Sequence, residues 1–425
     1  MQVRPDDQRV VITGLGAVTP LGLNVADTWQ GMIDGRSGVD HITSFDASRF
    51  PTTFAGEVKN FDPLLYLDHK EARRIARAAQ FSLAGSIQAM ADAGLGRFDE
   101  DSAGGSGSAQ RSGALLGTSF GGFAAAEQAI RDYYQRGLGK VGPFALAASL
   151  PNMVTSHVCL RFNIQGYTST ITTACASGTQ ALGEAAEVIR RGKTDVMLAG
   201  GVECVIIESV LVGFTAMRAI STRNDNPAGA CRPFDADRDG FVLGEGCAVF
   251  VLERLTHARA RGARIYAELL GHASSTDTYH LAQPDPQGRY AYLAMRWAME
   301  DAGVTPGEVD YINAHAPGTL LGDVAETVAI KKLFGEHAYD IPLSATKSMI
   351  GHGLGAAGAI EALACVKTIE TGIIHPTINY QTPDPACDLD CVPNVARRAD
   401  VRVILSNSFG LGGQNACLVL GRFEP

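Results

Sequence analysis

The segment Ile171-Thr-Thr-Ala-Cys175-Ala-Ser-Gly-Thr-Gln180 joins two different hydrophobic patterns. Before it, residues 167–173 are rich in β-branched side chains, which favours a strand. After it, apolar residues recur at helical spacing through Leu182, Ala185, Ala186 and Ile189. The sequence therefore predicts that Cys175 lies where a strand turns into a helix.

This position allows two interpretations of Cys175. Backbone N–H groups and the positive end of the helix dipole meet at a helix start, which predicts a lowered thiol pKa and an exposed nucleophile. The alternative is a buried cysteine that packs as a small hydrophobic residue. The position alone leaves both interpretations open.

The composition excludes several classes of protein. The chain has 425 residues, of which 46% are hydrophobic, and a net charge of −9. At about 150 residues per domain, this length predicts two or three domains or one layered α/β body. No apolar run approaches the roughly 18 residues of a membrane span, and the chain start has no secretory core. The negative charge disfavours nucleic acid as a partner.

The sequence also argues against metal ions, cofactors and disulfides. Nine cysteines, spread through a long chain, indicate a reducing cytoplasm. Cys387 and Cys391 lack the further ligands of a zinc site, and the acidic run at 232–241 lacks the closing glutamate of a calcium loop. Gly14-Leu-Gly16 lacks the third glycine of a dinucleotide-binding turn, so we expect a strand over 9–14 followed by a tight turn.

Strand and helix patterns occur twice in a comparable order along the chain. After strands at 113–117, 195–202 and 248–252, new strands are predicted at 265–270, 311–314, 341–344, 402–407 and 416–420. Residues 100–112 predict a surface loop. The pattern predicts a mixed sheet covered by helices, with two similar halves, 1–260 and 261–425, packed as one body.

Three later segments carry a chemical group in a glycine-rich loop at the end of a predicted strand. They are Asn313-Ala-His315, Thr346-Lys347-Ser-Met-Ile-Gly-His352 and Asn407-Ser-Phe409-Gly. Active sites of layered α/β folds lie at the carboxyl ends of strands, so these loops are expected to converge on Cys175. Each histidine alone fits a structural role, whereas the combination indicates catalysis.

These motifs, together with Thr173-Ala-Cys175-Ala-Ser-Gly, resemble the signatures of the β-ketoacyl-acyl carrier protein synthases, most closely synthase II. The resemblance covers nearly the whole chain. It implies a thiolase-like α/β fold of two similar halves in α-β-α-β-α layers, a homodimer and no cofactor. It also implies decarboxylating Claisen condensation of an acyl-carrier-protein thioester with malonyl-carrier protein, as in fatty-acid elongation.

The resemblance implies catalytic roles for residues of both halves. Cys175, in the first half, would accept the acyl chain as a thioester. His315 and His352, in the second half, would assist decarboxylation and hold the enolate oxygen. The backbone N–H groups of Cys175 and Phe409 would form the oxyanion hole, and Phe409 would act as a gatekeeper.

Supporting residues follow from the same resemblance. Lys347 would be a supporting charge paired with Glu361. Phe120, Thr319, Glu361 and Leu411 are expected on the substrate side, with Phe120 at the floor of the acyl pocket. The chain departs from the family at Ala316-Pro317, where Gly-Thr is usual, which leaves the binding of the pantetheine arm open.

A basic stripe is a candidate docking surface. Residues 67–93 have a helical pattern that places Lys70, Arg73, Arg74 and Arg77 on one face. An ordinary solvated surface is the more common explanation of such a stripe. The resemblance puts Lys70, Arg73, Arg74 and Arg218 where the family meets acyl carrier protein, an acidic partner.

Other enzyme classes differ in their catalytic residues. A thiolase acting on coenzyme A esters would have a cysteine in place of His352, and a non-catalytic chain-length partner would lack Cys175. A Cys-His hydrolase would need an orienting carboxylate, for which the sequence shows no special pairing. A polyketide ketosynthase shares all four motifs, so the sequence leaves that alternative open.

Overall fold

A computed structural model describes residues 4–99 and 108–424 of the chain. The predicted surface loop at 100–112 lies outside the described residues as far as residue 107. The strands are β1 Val10–Val18, β2 Asp40–His41, β3 Phe54–Ala55, β4 Ser112–Gly117, β5 Thr168–Ile171, β6 Val196–Glu203, β7 Gly246–Arg254, β8 Ala267–Thr276, β9 Tyr311–Asn313, β10 Leu343–Ser344, β11 Ile373–Ile374, β12 Arg397–Arg398, β13 Val403–Phe409 and β14 Gln414–Gly421.

The helices are α1 Val25–Ile33, α2 His69–Ala72, α3 Arg77–Asp92, α4 Phe123–Arg136, α5 Ala145–Ser149, α6 Met153–Phe162, α7 Ser177–Arg190, α8 Glu208–Ala216, α9 Leu255–Ala260, α10 Arg289–Ala302, α11 Gly322–Phe334, α12 Lys347–Ile350 and α13 Ala357–Thr371. Among the described residues, none of these helices has both the length and the hydrophobicity to cross a membrane.

The main sheet has the strand order β5-β4-β6-β7-β1-β8-β14-β13-β9-β10. In the first half, β1–β7 and β7–β6 are antiparallel, while β6–β4 and β4–β5 are parallel. The second half repeats this pattern, with β8–β14 and β14–β13 antiparallel and β13–β9 and β9–β10 parallel. The halves meet where Val11 and Ile12 pair with Glu268 and Ala267. We keep the division into 1–260 and 261–425 as a proposal, because hydrogen bonding continues across it.

The helices form three layers around the two halves of the sheet. Helix α7 contacts β4 and β6 as well as β8 and β14, and α13 contacts β6, β7 and β13, so both helices lie between the halves. Helix α3 packs outside β1 and β7, and α10 packs outside β8 and β14. Helix α13 is largely buried because its sequence, AGAIEALACVKTIET, is small or apolar on nearly every side. The predicted α-β-α-β-α architecture is confirmed.

The predicted end of the first strand was wrong. Strand β1 continues through Gly14 and Gly16, with a register shift between Ile12 and Gly14. A Cβ at Gly14 would lie 2.2 Å from the carbonyl oxygen of Ala89, and one at Gly16 would lie 1.9 Å from that of Gly85. Helix α3 thus lies directly on the backbone of β1, and the glycines mark this close contact rather than a turn.

The helix predicted over 67–93 is two helices, α2 and α3. The guanidinium of Arg77 donates to Glu245 at 2.9 Å and lies 4.5 Å from the ring centre of Phe81. Arg77 is therefore half-buried and does not belong to an exposed stripe, contrary to the prediction. The remaining exposed cations of the stripe are Lys70, Arg73 and Arg74.

We expect Gly16→Ala to lower the free energy of unfolding by about 1–3 kcal/mol, because overpacking this contact forces the backbone apart. Urea unfolding followed by circular dichroism measures the change. Gly96→Ala is the matched control, since nothing lies within 4 Å of a Cβ at that glycine. Equal losses in the two variants would contradict the close packing of α3 on β1.

Candidate active site

Cys175 lies in a tight turn between β5 and α7, as predicted. Ala174 has a φ of 49°, a left-handed conformation that is strained for alanine. Ser177 compensates for this strain: the N–H of Thr173 donates to its Oγ at 2.9 Å, and the hydroxyl donates to the carbonyl of Ala174 at 2.6 Å. The turn directs the side chain of Cys175 into a cavity.

Three loops meet this turn from the other half of the sheet. Strands β13, β9 and β10 are parallel neighbours, so residues that follow them emerge at the same edge. His315 follows β9, His352 follows β10, and Phe409 ends β13. These residues and Cys175 line one cavity of about 370 Å³, which confirms the predicted convergence.

His352 is in direct contact with the thiol. Its Nε2 lies 3.0 Å from Cys175 Sγ. Its backbone N–H donates to the carbonyl of Val242 at 2.6 Å, and its carbonyl accepts from the N–H of Gly244 at 2.9 Å. The ring meets the ring of Phe241 edge-on, with 5.4 Å between centres. An imidazole held at this distance from a thiol can take its proton.

Lys347 is fully buried and connects His315 to Glu361. Its Nζ donates to the backbone carbonyl of His315 at 2.6 Å and forms an ion pair with Glu361, which confirms the predicted pair. The same Nζ lies 3.3 Å from His315 Nδ1. An ammonium can only donate, so Nδ1 accepts and the ring proton is assigned to Nε2. Glu361 lies behind Lys347 and is absent from the cavity wall that the described residues form, so its predicted substrate-side position was wrong.

Burial controls the protonation of these groups. It raises the pKa of the Cys175 thiol to about 11, while the N–H of Leu411 and the charge of Lys347 act in the opposite direction. Burial, followed by the charge of Lys347, holds the pKa values of His315 and His352 well below their usual range. The predicted lowering of the thiol pKa was wrong, because desolvation outweighs the N–H of Leu411 and the charge of Lys347. Cys175 and His352 are a neutral thiol–imidazole pair at neutral pH.

Two buried carboxylates at the start of α11 hold the loop after His315, and the sequence analysis missed both. Glu326 accepts the N–H groups of His315 and of the next residue at 2.9 and 2.8 Å. Asp323 accepts those of Gly318 and Thr319, both at 3.1 Å, and burial raises its pKa to about 6. The sequence did carry a signal for them: two acidic residues, three apart, lie near the start of a helix that directly follows the His315 loop. Such residues can accept backbone N–H groups at a helix start.

The rest of the cavity wall is mostly apolar, which suits an acyl chain. Phe120, Thr319 and Leu411 all lie on this wall, and their roles stay predictions. The Thr319 hydroxyl accepts the N–H of Gly322 at 3.2 Å. Apolar residues of the wall include Phe214, Met217, Phe241, Leu281 and Pro317.

The cations predicted to dock a carrier protein are all exposed; they are Lys70, Arg73, Arg74 and Arg218. The guanidinium of Arg74 lies 4.7 Å from the ring centre of Phe144, which restricts its movement. Arg218 follows α8 with a φ of 53°, directly after Met217 of the cavity wall. One of the four cations therefore lies beside the cavity.

One group outside the cavity has the composition of a metal site. Glu187, His272 and Asp301 place ligand atoms within 4.8 Å of one another. Arg190 pairs with Glu187 at 2.5 Å and with Asp301 at 3.4 Å, and Arg4 pairs with Asp301 at 2.7 Å. The guanidinium groups already neutralise the carboxylates, so the geometry does not support a metal role.

Comparisons with known proteins agree with this geometry. The chain matches the family models described as "Beta-ketoacyl synthase, N-terminal domain" over residues 7–258 and "Beta-ketoacyl synthase, C-terminal domain" over 266–381. It is 45% identical to a 3-oxoacyl-(acyl-carrier-protein) synthase 2 of Coxiella burnetii over 98% of this chain and 99% of that protein.

Solved structures are similar over equally long stretches. A beta-ketoacyl synthase from Burkholderia phymatum has a TM-score of 0.89 at 36% identity, over 98% of this chain and 100% of the other. A type II polyketide ketosynthase, bound to a hexaketide and in complex with its acyl-carrier protein, has a TM-score of 0.89 at 35% identity, over 98% and 99%.

We expect the alkylation rate of Cys175 by iodoacetamide to rise about tenfold per pH unit from pH 7 to pH 9, because only the thiolate reacts and the raised pKa lies above this range. Mass spectrometry of the Cys175 peptide measures the rate. The same peptide in urea is the control, and its rate should level off near the ordinary thiol pKa of about 8.5. A plateau below pH 8 in the folded protein would show that the thiol pKa is not raised.

Proposed function

Because this chain belongs to the β-ketoacyl synthase family, we propose that it condenses an acyl-carrier-protein thioester with malonyl-carrier protein. It is an acyltransferase of fatty-acid elongation, and its products are 3-oxoacyl-carrier protein and carbon dioxide. The observation that carries the proposal is the 3.0 Å contact between Cys175 Sγ and His352 Nε2, beside His315 in an apolar cavity.

In the acyl-transfer step, Cys175 Sγ attacks the thioester carbonyl carbon. The thiol proton moves to His352 Nε2 and then to the departing pantetheine sulfur, so one carbon–sulfur bond forms as the other breaks. The backbone N–H groups of Cys175 and Phe409 stabilise the oxyanion. The raised thiol pKa supports this order, because a neutral thiol needs a base at the moment of attack.

In the condensation step, the malonyl group loses carbon dioxide and becomes an enolate. Its oxygen accepts hydrogen bonds from Nε2–H of His315 and of His352. Neutral His352 leaves acyl transfer with its proton on Nδ1, so it exchanges to the Nε2–H tautomer through water before this step. Lys347 supports this role, because it occupies Nδ1 of His315 and leaves the proton on Nε2. The carbanion attacks the acyl carbonyl, the bond to Cys175 breaks, and the sulfur takes up a proton from water.

Phe409 is the gate between the entrance and the acyl pocket. Its ring centre lies 5.8 Å from that of His315. Gly410 follows it, and Gly412 and Gly413 have φ angles of 85° and 82°, which favour glycine. A glycine-rich segment of this kind lets the ring move, so acyl and malonyl groups enter in turn.

On the substrate side, Phe120 limits the length of the acyl chain and Thr319 binds the pantetheine arm. Leu411 contributes apolar surface near the arm. Pro317 stands where the family usually has a threonine, whose hydroxyl could form a hydrogen bond to the arm. The arm therefore has one hydrogen-bonding group fewer than in the family pattern. We expect this change to affect KM rather than the chemistry at Cys175.

The carrier protein docks through Lys70, Arg73, Arg74 and Arg218. The chain has a net charge of −9, so these exposed cations form a local positive surface on an otherwise acidic protein. Such a surface attracts an acidic partner. The complex of a similar polyketide ketosynthase with its acyl-carrier protein supports docking of a carrier on this fold.

The enzyme is a homodimer. Helix α4 has 14 residues and buries none of them in the described part of the chain, and it exposes Ile130 by 58% and Tyr134 by 81%. Strand β5 lies at the edge of the sheet, where it pairs with β4 on one side. A helix that exposes large apolar side chains and a strand with a free outer edge are typical of a subunit interface, and a second copy of the chain would cover both.

The enzyme acts in the cytoplasm. All nine cysteines are free thiols. Cys387 and Cys391, which are close in sequence, are buried and unlinked. Free thiols in this number support a reducing compartment.

The proposal is tested by incubating the protein with malonyl-carrier protein and acyl-carrier proteins of increasing chain length. Mass spectrometry should detect 3-oxoacyl products two carbons longer than the acyl substrate. Cys175→Ala should fold and form none, because no thioester is made. Products with several unreduced keto groups would favour a polyketide ketosynthase instead, and no product from the natural enzyme would contradict both functions.

Docking is tested with the double variant Arg73→Glu and Arg74→Glu. Its KM for carrier-bound substrates should rise about tenfold at low salt and less at high salt, with kcat unchanged, because rim charges mainly steer association. Arg402→Glu is the control, since that arginine is also exposed and pairs only weakly, 3.5 Å from Asp400. An unchanged KM would remove the docking role.

A further inference from the structure

Glu203, the last residue of β6, is fully buried and takes no part in the steps proposed above. Its Oε2 accepts the N–H groups of Ser119 at 2.7 Å and of Gly355 at 3.2 Å. Its Oε1 accepts the N–H of Phe120 and the hydroxyl of Thr118, both at 3.2 Å. Donors from two separate segments, 118–120 and 352–355, therefore converge on one carboxylate.

Among the described residues, no lysine, arginine or histidine forms an ion pair with Glu203. Burial raises the pKa of its carboxyl to about 7, and the N–H donors act in the opposite direction. A buried carboxyl without a counter-ion is unfavourable unless its hydrogen bonds are made. The stability of this acid therefore depends on the two segments that donate to it.

These segments are packed at backbone contact. A Cβ on Gly355 would lie 2.4 Å from the nitrogen of Ser119. A Cβ on Gly201, in β6, would lie 2.6 Å from the oxygen of Gly355 and 3.0 Å from the Cα of Gly178 in α7. Packing at this density leaves no free volume, so one segment cannot move without the other.

Both segments also form part of the acyl cavity. Phe120 lines the cavity from the first segment. Leu354 lines it from the second, with a φ of 46°. The second segment begins at His352, whose Nε2 contacts Cys175. Glu203 thus connects the segment that carries Phe120 to the segment that carries His352, which contacts the sulfur of Cys175.

We infer that Glu203 is a positioning residue that holds Phe120 at a set distance from the His352 turn and so limits the longest acyl chain that the cavity accepts. The inference rests on the proposed condensing function. Each carboxylate oxygen accepts from two donors, whereas a glutamine in its place would turn an NH₂ group toward one pair of them. Glu203→Gln therefore keeps the size of the side chain and loses hydrogen bonds to the wall.

The test measures kcat/KM for condensation with hexanoyl- and hexadecanoyl-carrier protein in the natural enzyme, E203Q and T118V. In E203Q we expect the long-to-short ratio to rise about tenfold, because the loosened wall admits longer chains. T118V removes one donor hydroxyl and keeps the side-chain shape, so its ratio should rise about threefold. A general loss of stability would lower both rates and leave this ratio unchanged.

Glu268→Gln is the matched control, because Glu268 is a buried carboxylate that pairs with Arg9 at 2.8 Å and does not line the described cavity. It should lower the Tm and keep the natural ratio. An unchanged ratio in E203Q, or in T118V if E203Q does not fold, overturns the inference. If the natural enzyme forms no condensation product, the proposed function fails instead.

Discussion

The buried ion pair between Lys347 and Glu361 is the interaction on which the arrangement of the site depends. Both side chains are fully buried. Taking such ions out of water costs several kcal/mol each, and this cost is offset only if the ions attract each other at close range and all their donors form hydrogen bonds. Lys347 uses all three of its N–H donors, to Glu361, to the backbone carbonyl of His315 and to Nδ1 of the same histidine. The pair thus connects α13, between the halves of the sheet, to the loop after β9. It also determines which nitrogen of His315 faces the substrate.

Close backbone packing explains how four loops share one small cavity. Gly355 lies against the segment that carries Phe120, and Gly178, near the start of α7, lies against Gly355. Any larger residue would separate the nucleophile turn from the histidine loops. Burial of Cys175 in the same packing raises the pKa of its thiol, and the sulfur lies in contact with His352 Nε2. The same close packing therefore brings the loops together and raises the pKa of the thiol.

The errors of sequence interpretation share a physical origin. Gly14 and Gly16 predicted a turn because a glycine pattern does not distinguish backbone freedom from a close contact with another element. Arg77 was wrongly placed in an exposed stripe because the pattern does not reveal that it pairs with a distant buried carboxylate, Glu245. Glu326 was missed for a similar reason, since acidic residues on a helix resemble an exposed surface until the fold buries them.

By itself, the sequence determined the local elements and the chemical groups. Hydrophobic periodicity placed Cys175 between a strand and a helix, and the motifs around His315, His352 and Phe409 identified side chains that line one cavity with it. Both depend on residues close in the chain. Only the tertiary structure decided the protonation of the thiol, the partners of Lys347 and the hydrogen bonds of buried acids such as Glu203. These properties depend on desolvation and on contacts between distant segments, which no local pattern contains.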